Sequence, residues 1–451
     1  MASTSLLTRL VHLLLLLFLP GALRVRDHHP RPEEDVAGVG SGGGGGGGEG
    51  VVLHPIVLVP GVSCSELEAR LTAAYRPSTP RCGALKGKGW FGLWANCTDI
   101  TAHRYVPCFA EQMRLVYDPA ANDYRNLAGV QTRVPHFGSS KGFQRNPIHT
   151  DWCLEVLRGE LERIGYRDGE TMFGAPYDLR HAPPAPGQPS RAYSRYFRRL
   201  AALVERASER NQGRKVILFG HSFGGMVALE FARRTPMAWR RAHVKHLVLA
   251  APLHPAAGFV ETVQYFASGA TFIYLPNVTA RALQPMWRSF ESAVANFPSP
   301  AVFGRRRPVV VTARRNYTAA DMADFLADAG AGDAVEPFRR REVPKMRCCA
   351  PPPMVPVTCI NGIVGGGTPE QLVYRDGDFD KDPEIVNGDG DGSINLISML
   401  EFDDEMRRQP EQRRQYKSVK LAGAKHGSIV TLDWAVKRVI DEILEANRVS
   451  S

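Results

Sequence analysis

Gly220-His221-Ser222-Phe223-Gly224 has the form Gly-x-Ser-x-Gly. A serine in that setting can attack an ester carbonyl when a sharp strand-to-helix turn lifts its hydroxyl out of the backbone. The flanks supply that setting. Lys215-Val-Ile-Leu-Phe219 is a continuous apolar run, as in a strand buried on both faces, and residues 223–234 have helical patterning. The turn also aims the backbone N–H of Phe223 at the oxygen that becomes negative during attack. A second donor of that kind belongs to the loop after the first strand, Pro60-Gly61-Val62, where the N–H of Val62 is the candidate.

Serine is a poor nucleophile at neutral pH without a base. With this type of elbow the partners follow in the order acid, then histidine, with the histidine after the last strand. His426 is the sole histidine after His254, and it lies between the apolar run 418–422 and a final helical stretch. The acid must come from between, and Gly388-Asp389-Gly390-Asp391-Gly392 is the obvious source. Asp391-Gly392-Ser393-Ile394 suits a tight turn that points a carboxylate back at the histidine, so Asp391 is preferred to Asp389. A calcium loop is the rival reading. Asn387, Asp389, Asp391 and Gly392 match its positions one, three, five and six, but Ser398 stands where the twelfth-position Glu belongs. The expected chemistry is therefore acyl transfer through a serine, with no metal and no cofactor.

The elements that must hold these residues alternate along the chain. Apolar runs at 55–60, 215–219, 244–251, 308–312, 356–361 and 418–422 read as strands, with helical patterns at 152–164, 194–209, 223–234 and 430–446. Trp152, Val156, Leu157, Leu161 and Ile164 share one helical face, and Leu432, Val436, Val439, Ile440, Ile443 and Leu444 share another. This rhythm predicts an α/β fold with a mostly parallel sheet covered on both faces. Residues 76–145 and 255–350 break the rhythm and are expected to be insertions over the sheet.

Residues 1–22 carry a short positive start and an apolar run of about ten residues, too short to cross about 30 Å of hydrocarbon. They predict a secretory signal or an uncleaved signal anchor. Residues 23–50, with seven consecutive glycines at Gly42–Gly48, predict a flexible linker, and order is expected from Val51 to about residue 447. Three sequons at Asn96, Asn277 and Asn316 and eight cysteines fit the secretory route. The chain carries 56 basic and 46 acidic side chains, a formal charge of +10, scattered along its length. That pattern lacks the basic block with interleaved aromatics of a nucleic-acid binder. It suits either a solubilising surface or attraction to anionic lipid.

The chain resembles the lecithin:cholesterol acyltransferase family, its plant-type members above all. The resemblance rests on separated blocks: His54-Pro-Ile-Val-Leu-Val-Pro-Gly61, Met113-Arg-Leu-Val-Tyr-Asp118, Gly129-Val-Gln-Thr-Arg-Val-Pro-His-Phe-Gly138, Gly174-Ala-Pro-Tyr-Asp-Leu-Arg180 and Gly388–Gly392. It implies an α/β-hydrolase core with a membrane-binding subdomain and a cap. It implies phospholipid as acyl donor and a sterol, another alcohol or water as acceptor. The final location would be secreted, vacuolar or lysosomal, or at the endoplasmic reticulum membrane. The family triad falls on Ser222, Asp391 and His426, and its oxyanion positions on Val62 and Phe223.

The family's lipid-contacting loop, closed by a disulfide, falls on Cys82 and Cys108. Trp90, Phe91 and Trp94 lie between them, either exposed for insertion at an interface or packed on the sheet. A second family disulfide would start at Cys359, but its partner position holds no cysteine, which implies a free buried thiol. Cys348 and Cys349 have no assignment. Where the family reads Ala-Pro-Trp-Gly-Gly, this chain has Ala251-Pro-Leu-His-Pro255. That departure implies either a reshaped acyl pocket or a weaker enzyme.

Overall fold

The computed structural model describes residues 52–94, 106–143, 153–268, 277–347 and 351–448. The chain separates into two units, Met1–Gly50 and Val51–Ser451, and every described residue belongs to the second. Residues 1–50, expected to be leader and linker, and Asn96, Trp152, Cys348 and Cys349 lie outside the described residues.

The main sheet has nine strands: β1 (Ile56–Val59), β2 (Met172–Gly174), β3 (Val216–His221), β4 (Val244–Ala250), β5 (Pro308–Thr312), β6 (Asn316–Thr318), β7 (Val357–Tyr374), β8 (Glu384–Gly390) and β9 (Tyr416–Ala422). Their order is β6-β5-β7-β4-β3-β1-β2, with β8 and β9 both paired to the long β7. All pairs are parallel except β5/β6 and β7/β8. Six helices matter for the site: α1 (Glu155–Arg163), α2 (Arg191–Arg210), α3 (Phe223–Arg234), α4 (Glu261–Ser268), α5 (Leu396–Arg408) and α6 (Asp433–Arg448).

Every residue of β1, β3 and β4 is buried, because side chains on both faces meet helices. Val57, Leu218 and Leu249 pack with Leu203 of α2 and Phe231 of α3 on one face. Ile56, Ile217 and Val248 pack with Leu157 of α1 and Val439 of α6 on the other. Each such side chain contributes about 1.5–3 kcal/mol by leaving water. This is the α/β-hydrolase architecture: strands running the same way deliver their carboxyl ends, and the turns after them, to one edge.

Several elements depart from the sequence reading. β2, β6, β8 and α5 were not expected, and β7 continues well beyond residue 361. Leu432, assigned to an inward face, is 44% exposed because α6 begins only at Asp433. Part of the stretch 255–350 belongs to the sheet itself, since β5 and β6 extend its edge. The other irregular stretch contains a small antiparallel sheet of Leu67–Leu71, Phe91–Trp94 and Val130–Arg133, and a hairpin of Leu115–Asp118 with Asp123–Asn126. Asn277 starts a helix, and Asn316 is exposed in β6.

Candidate active site

The turn between β3 and α3 is a single residue, Ser222, with φ 57° and ψ −126°. A non-glycine residue held at positive φ stores strain of order 1–3 kcal/mol and persists only where its surroundings determine it. Here they do. The Ser222 N–H donates to Ala250 O at 2.9 Å, and its carbonyl accepts from Gly225 at 2.9 Å and Leu253 at 3.2 Å. The flanking glycines allow the close approach. A Cβ on Gly224 would lie 2.2 Å from Pro60 O, and one on Gly220 would lie 2.6 Å from Gly224 O.

The structure brings His426 and Asp391 to this serine. His426 Nε2 is 2.8 Å from Ser222 Oγ, and Nδ1 is 2.9 Å from Asp391 Oδ2. All three residues are buried. Burial works to lower the His426 pKa, but the charge and hydrogen bond of Asp391 outweigh it and hold the imidazole above its ordinary value. Asp391 is held by its own turn. Its Oδ1 accepts from the N–H groups of Ser393 at 3.1 Å and Ile394 at 2.7 Å, and its carbonyl accepts from His426 N–H at 2.8 Å. Asp389 is exposed and accepts from Gly366 N–H instead. Asn387 and Asp389 sit in β8 while Asp391 turns inward, so the calcium-loop spacing does not converge on one point. Among the described residues no group of three His, Cys, Asp or Glu side chains is placed to hold a metal ion.

The loop carrying Val62 is held from several sides. Cys64 is bonded to Cys153, a pairing across 89 residues that spacing alone could not reveal. Trp94 Nε1 donates to Ser63 O at 3.2 Å. The Tyr177 hydroxyl donates to Pro60 O at 3.0 Å, and its ring stacks on Phe223 with centroids 5.9 Å apart. Tyr177 thus braces both segments that carry the oxyanion candidates, and Val62 and Phe223 line one cavity with Ser222. Its place in the block Gly174–Arg180 was the available signal.

Trp94 is 1% exposed and packs against Phe109 and Trp287, which removes it from the candidates for lipid insertion. Trp90 is half-buried, with the guanidinium carbons of Arg70 and Arg133 at 5.1 and 4.5 Å from its ring. Cys82 is bonded to Cys108. Cys359 is a free thiol in the core, where burial pushes its pKa up to about 12.

The cavity over Ser222 holds about 820 Å³, its mouth included. Its wall is mainly apolar, from Leu179, Leu253, Phe259, Phe266, Phe290 and Ile394 among others. Glu261, at the start of α4, also lines it. Burial raises the Glu261 pKa, opposed by hydrogen bonds with Tyr265 and Ser393 and by the nearby His426. A second unexpected neighbour is His221. Its ring lies 5.5 Å from that of His426, and its Nε2 is 3.3 Å from His426 O. Burial, then the charge of His426, lowers its pKa to about 3, so it is a neutral prop.

The departure at 253–255 has a definite structure. Leu253 joins the cavity wall, and His254 turns away from it into the protein. His254 Nδ1 accepts from Ala256 N–H at 3.0 Å, which leaves the proton on Nε2, 3.0 Å from Glu405 Oε2 on α5. Burial and the Arg233 guanidinium push its pKa down to about 3. Glu405 also pairs with Arg233 of α3. His254 Nε2 thus lies beside the Arg233–Glu405 pair, which joins the helix after Ser222 to the helix after Asp391, without forming a hydrogen bond of its own there.

Comparison with known proteins follows the same lines. A family description for lecithin:cholesterol acyltransferase matches residues 90–343. A "Lecithin-cholesterol acyltransferase-like 1" of Oryza sativa subsp. japonica is 44% identical over 398 residues, covering 88% of this chain and 88% of that one. A "Lysosomal phospholipase A and acyltransferase" of Homo sapiens is 31% identical, covering 82% of this chain and 86% of that one. A chain of the Tle4-Tli4 complex superposes with a TM-score of 0.52 at 13% identity, covering 89% of this chain and all of that one, which bears on the fold alone. The chain belongs to the lecithin:cholesterol acyltransferase family.

Proposed function

We propose that the protein is a serine-dependent lipid O-acyltransferase or phospholipase that works on phospholipid acyl esters. The observation that carries this reading is the chain of contacts Ser222–His426–Asp391, at 2.8 and 2.9 Å, under a mainly apolar cavity. In the first half-reaction Ser222 Oγ attacks the ester carbonyl carbon and its proton passes to His426 Nε2. Asp391 holds the imidazole in the tautomer that can accept it. The N–H groups of Val62 and Phe223 face the oxyanion. The ester C–O bond then breaks, and the lysolipid oxygen takes the proton from His426. In the second half-reaction an alcohol or water gives its proton to His426 and attacks the acyl-serine. The new ester or fatty acid forms, and Ser222 recovers its proton.

The relatives' names support an acyl donor among phospholipids, with a sterol, another alcohol or water as acceptor. Two disulfides and the leader-like residues 1–22 support a secretory route. For the lipid surface we propose the segment bridged by Cys82 and Cys108, where Trp90 lies among cations, with the +10 charge favouring anionic lipid. The test is fatty-acid release and acyl transfer from phosphatidylcholine vesicles containing free sterol or a long-chain alcohol. Wild type should form both product classes in some ratio, and Ser222→Ala neither. Unchanged release by the variant would sink the proposal.

A further inference from the structure

Parallel strands have two edges, and the Ser222 site uses only the carboxyl one. At the amino edge, the starts of β4, β7 and β9, the residue before β3 and the last turns of α6 border a second cavity of about 1290 Å³, its mouth included. Five basic side chains line it, Lys215, Arg241, Lys245, Arg414 and Lys417, against three acidic ones, Glu411, Glu442 and Glu445. Two of the acids are already answered, since Lys417 Nζ lies 2.7 Å from Glu442 Oε2 and 2.6 Å from Glu445 Oε2. Among the described residues the side chains of Lys215, Arg241 and Arg414 form no ion pair and no hydrogen bond, and Glu411 is the one other carboxylate in the wall. Lys245 is 5% exposed, and burial and then the charge of Lys215 lower its pKa. The same field reaches His54, whose pKa is lowered by burial and by Lys245, Arg214 and Lys215 against a hydrogen bond with Lys215 O. His246 adds no charge, because burial pushes its pKa down to about 4 while its Nε2 is 2.9 Å from Thr358 Oγ1. Cations gathered beside one cavity, one of them buried, favour a multiply charged anion there.

We infer that the cavity at the amino edge of the sheet is a binding site for a phosphate monoester, with Lys215, Lys245, Arg241 and Arg414 as the cations that receive its phosphate group. A phosphate monoester carries close to two negative charges at neutral pH and three strong acceptor oxygens, which suits several donors at once. A carboxylate offers one charge, and the zwitterionic headgroup of phosphatidylcholine offers none in net, so neither matches the wall as well. The volume exceeds what a phosphate ion fills. Met354-Val-Pro-Val357 and Tyr416 give the same cavity an apolar side for the organic part of the ester. The site is separate from Ser222, which lies at the far end of β3 from Lys215. A soluble phosphate ester and a lipid with a phosphomonoester headgroup share this chemistry.

The experiment has two arms. In one, glycerol 3-phosphate is titrated into the purified protein by calorimetry at neutral pH. In the other, the protein is sedimented with phosphatidylcholine vesicles that contain or lack phosphatidic acid. Wild type should show saturable binding in at least one arm, weakening as salt is raised. Lys215→Gln and Arg414→Gln should each weaken that binding by about tenfold, the factor that one charge-assisted hydrogen bond supplies. Arg305→Gln, at an exposed arginine that does not line the cavity, should leave it unchanged. Both cavity variants should keep the wild-type thermal midpoint, because neither side chain has a partner in the protein, so lost binding is not lost fold. Binding of glycerol 3-phosphate assigns the site to a soluble ester, and binding confined to the phosphatidic acid vesicles assigns it to a lipid headgroup. No saturable binding in either arm overturns the site. Equal affinity in wild type and both cavity variants overturns it as well.

Discussion

The two walls of the cavity are held in different ways. At the Ser222 elbow, backbone meets backbone. Ser222 is tied to Ala250, Gly225 and Leu253, and Gly224 lies against the carbonyls of Val59 and Pro60. Across the cavity, side chains carry much of the load. Val260 N–H donates to Asn395 Oδ1 at 3.0 Å, Ser398 Oγ to Gly258 O at 2.6 Å, and Thr262 Oγ1 to Ala293 O at 3.1 Å. The first wall has no room for an added methyl group. The second is as tight at Gly258, where a Cβ would lie 2.0 Å from Phe297 O, and elsewhere depends on those side-chain bonds. In the proposed function the first wall carries the chemistry and the second completes the mainly apolar cavity.

The sharpest way to break this division is at Asp391. Asp391→Asn removes the charge that holds the His426 pKa up and lets the imidazole adopt the wrong tautomer. We expect kcat to fall by about 10⁴. The acid limb of the residual kcat/KM should move to lower pH, because a less basic imidazole stays neutral further into acid. A limb that moves to higher pH would contradict the role given to Asp391.

Next in size is the brace behind Val62. The Cys64–Cys153 bond closes a loop of 89 residues, and removing it with a Cys64→Ser, Cys153→Ser pair should cost about 4–5 kcal/mol by chain entropy. Denaturant unfolding measures this, and a midpoint equal to wild type would remove the bond from the account. Gly224→Ala should follow. Its Cβ would sit 2.2 Å from Pro60 O and push the Val62 loop away, lowering kcat by about 10²–10³, as loss of one oxyanion donor does. Retained activity would show that the loop position does not matter.

The smallest effect is on stability against pH. His221 and His246 are buried and neutral, with pKa values brought down to about 3 and about 4, chiefly by burial. The unfolded chain, with histidine near pKa 6.5, binds protons that the folded chain refuses. The contribution of each is therefore complete above about pH 6.5 and is lost as pH falls toward the folded values. At pH 5 the loss is about 2 kcal/mol per histidine. Urea unfolding at pH 7 and pH 5 should show the difference, reduced in His246→Gln. Equal slopes in wild type and variant would contradict it.

The same contrast governs what the sequence made readable. The elbow is a local pattern, an apolar strand, a glycine-framed serine and a helix, so it could be read within 20 residues or so. His426 followed from position and Asp391 from turn chemistry. Glu261 carries no local signature, because its place in the cavity wall depends on the fold. Cys64–Cys153 is a long-range pairing and equally silent. β8 is exposed over most of its length and shows no apolar alternation, while Gly365–Gly367 interrupt the pattern of β7. The helix α5 was readable in principle, since Met399, Phe402 and Met406 fall on one helical face and are buried. The segment Leu253-His254-Pro255 departs from the family in residue type, yet through Leu253 it supplies a piece of apolar wall.

The most direct test of the central claim is covalent. The purified protein would be treated with a fluorophosphonate probe at neutral pH and digested, and the modified peptide identified by mass spectrometry. The account predicts a single stoichiometric adduct on Ser222, absent from Ser222→Ala and much slower to form in His426→Ala. An adduct that persists in Ser222→Ala, or a wild type that takes up no probe, would contradict it.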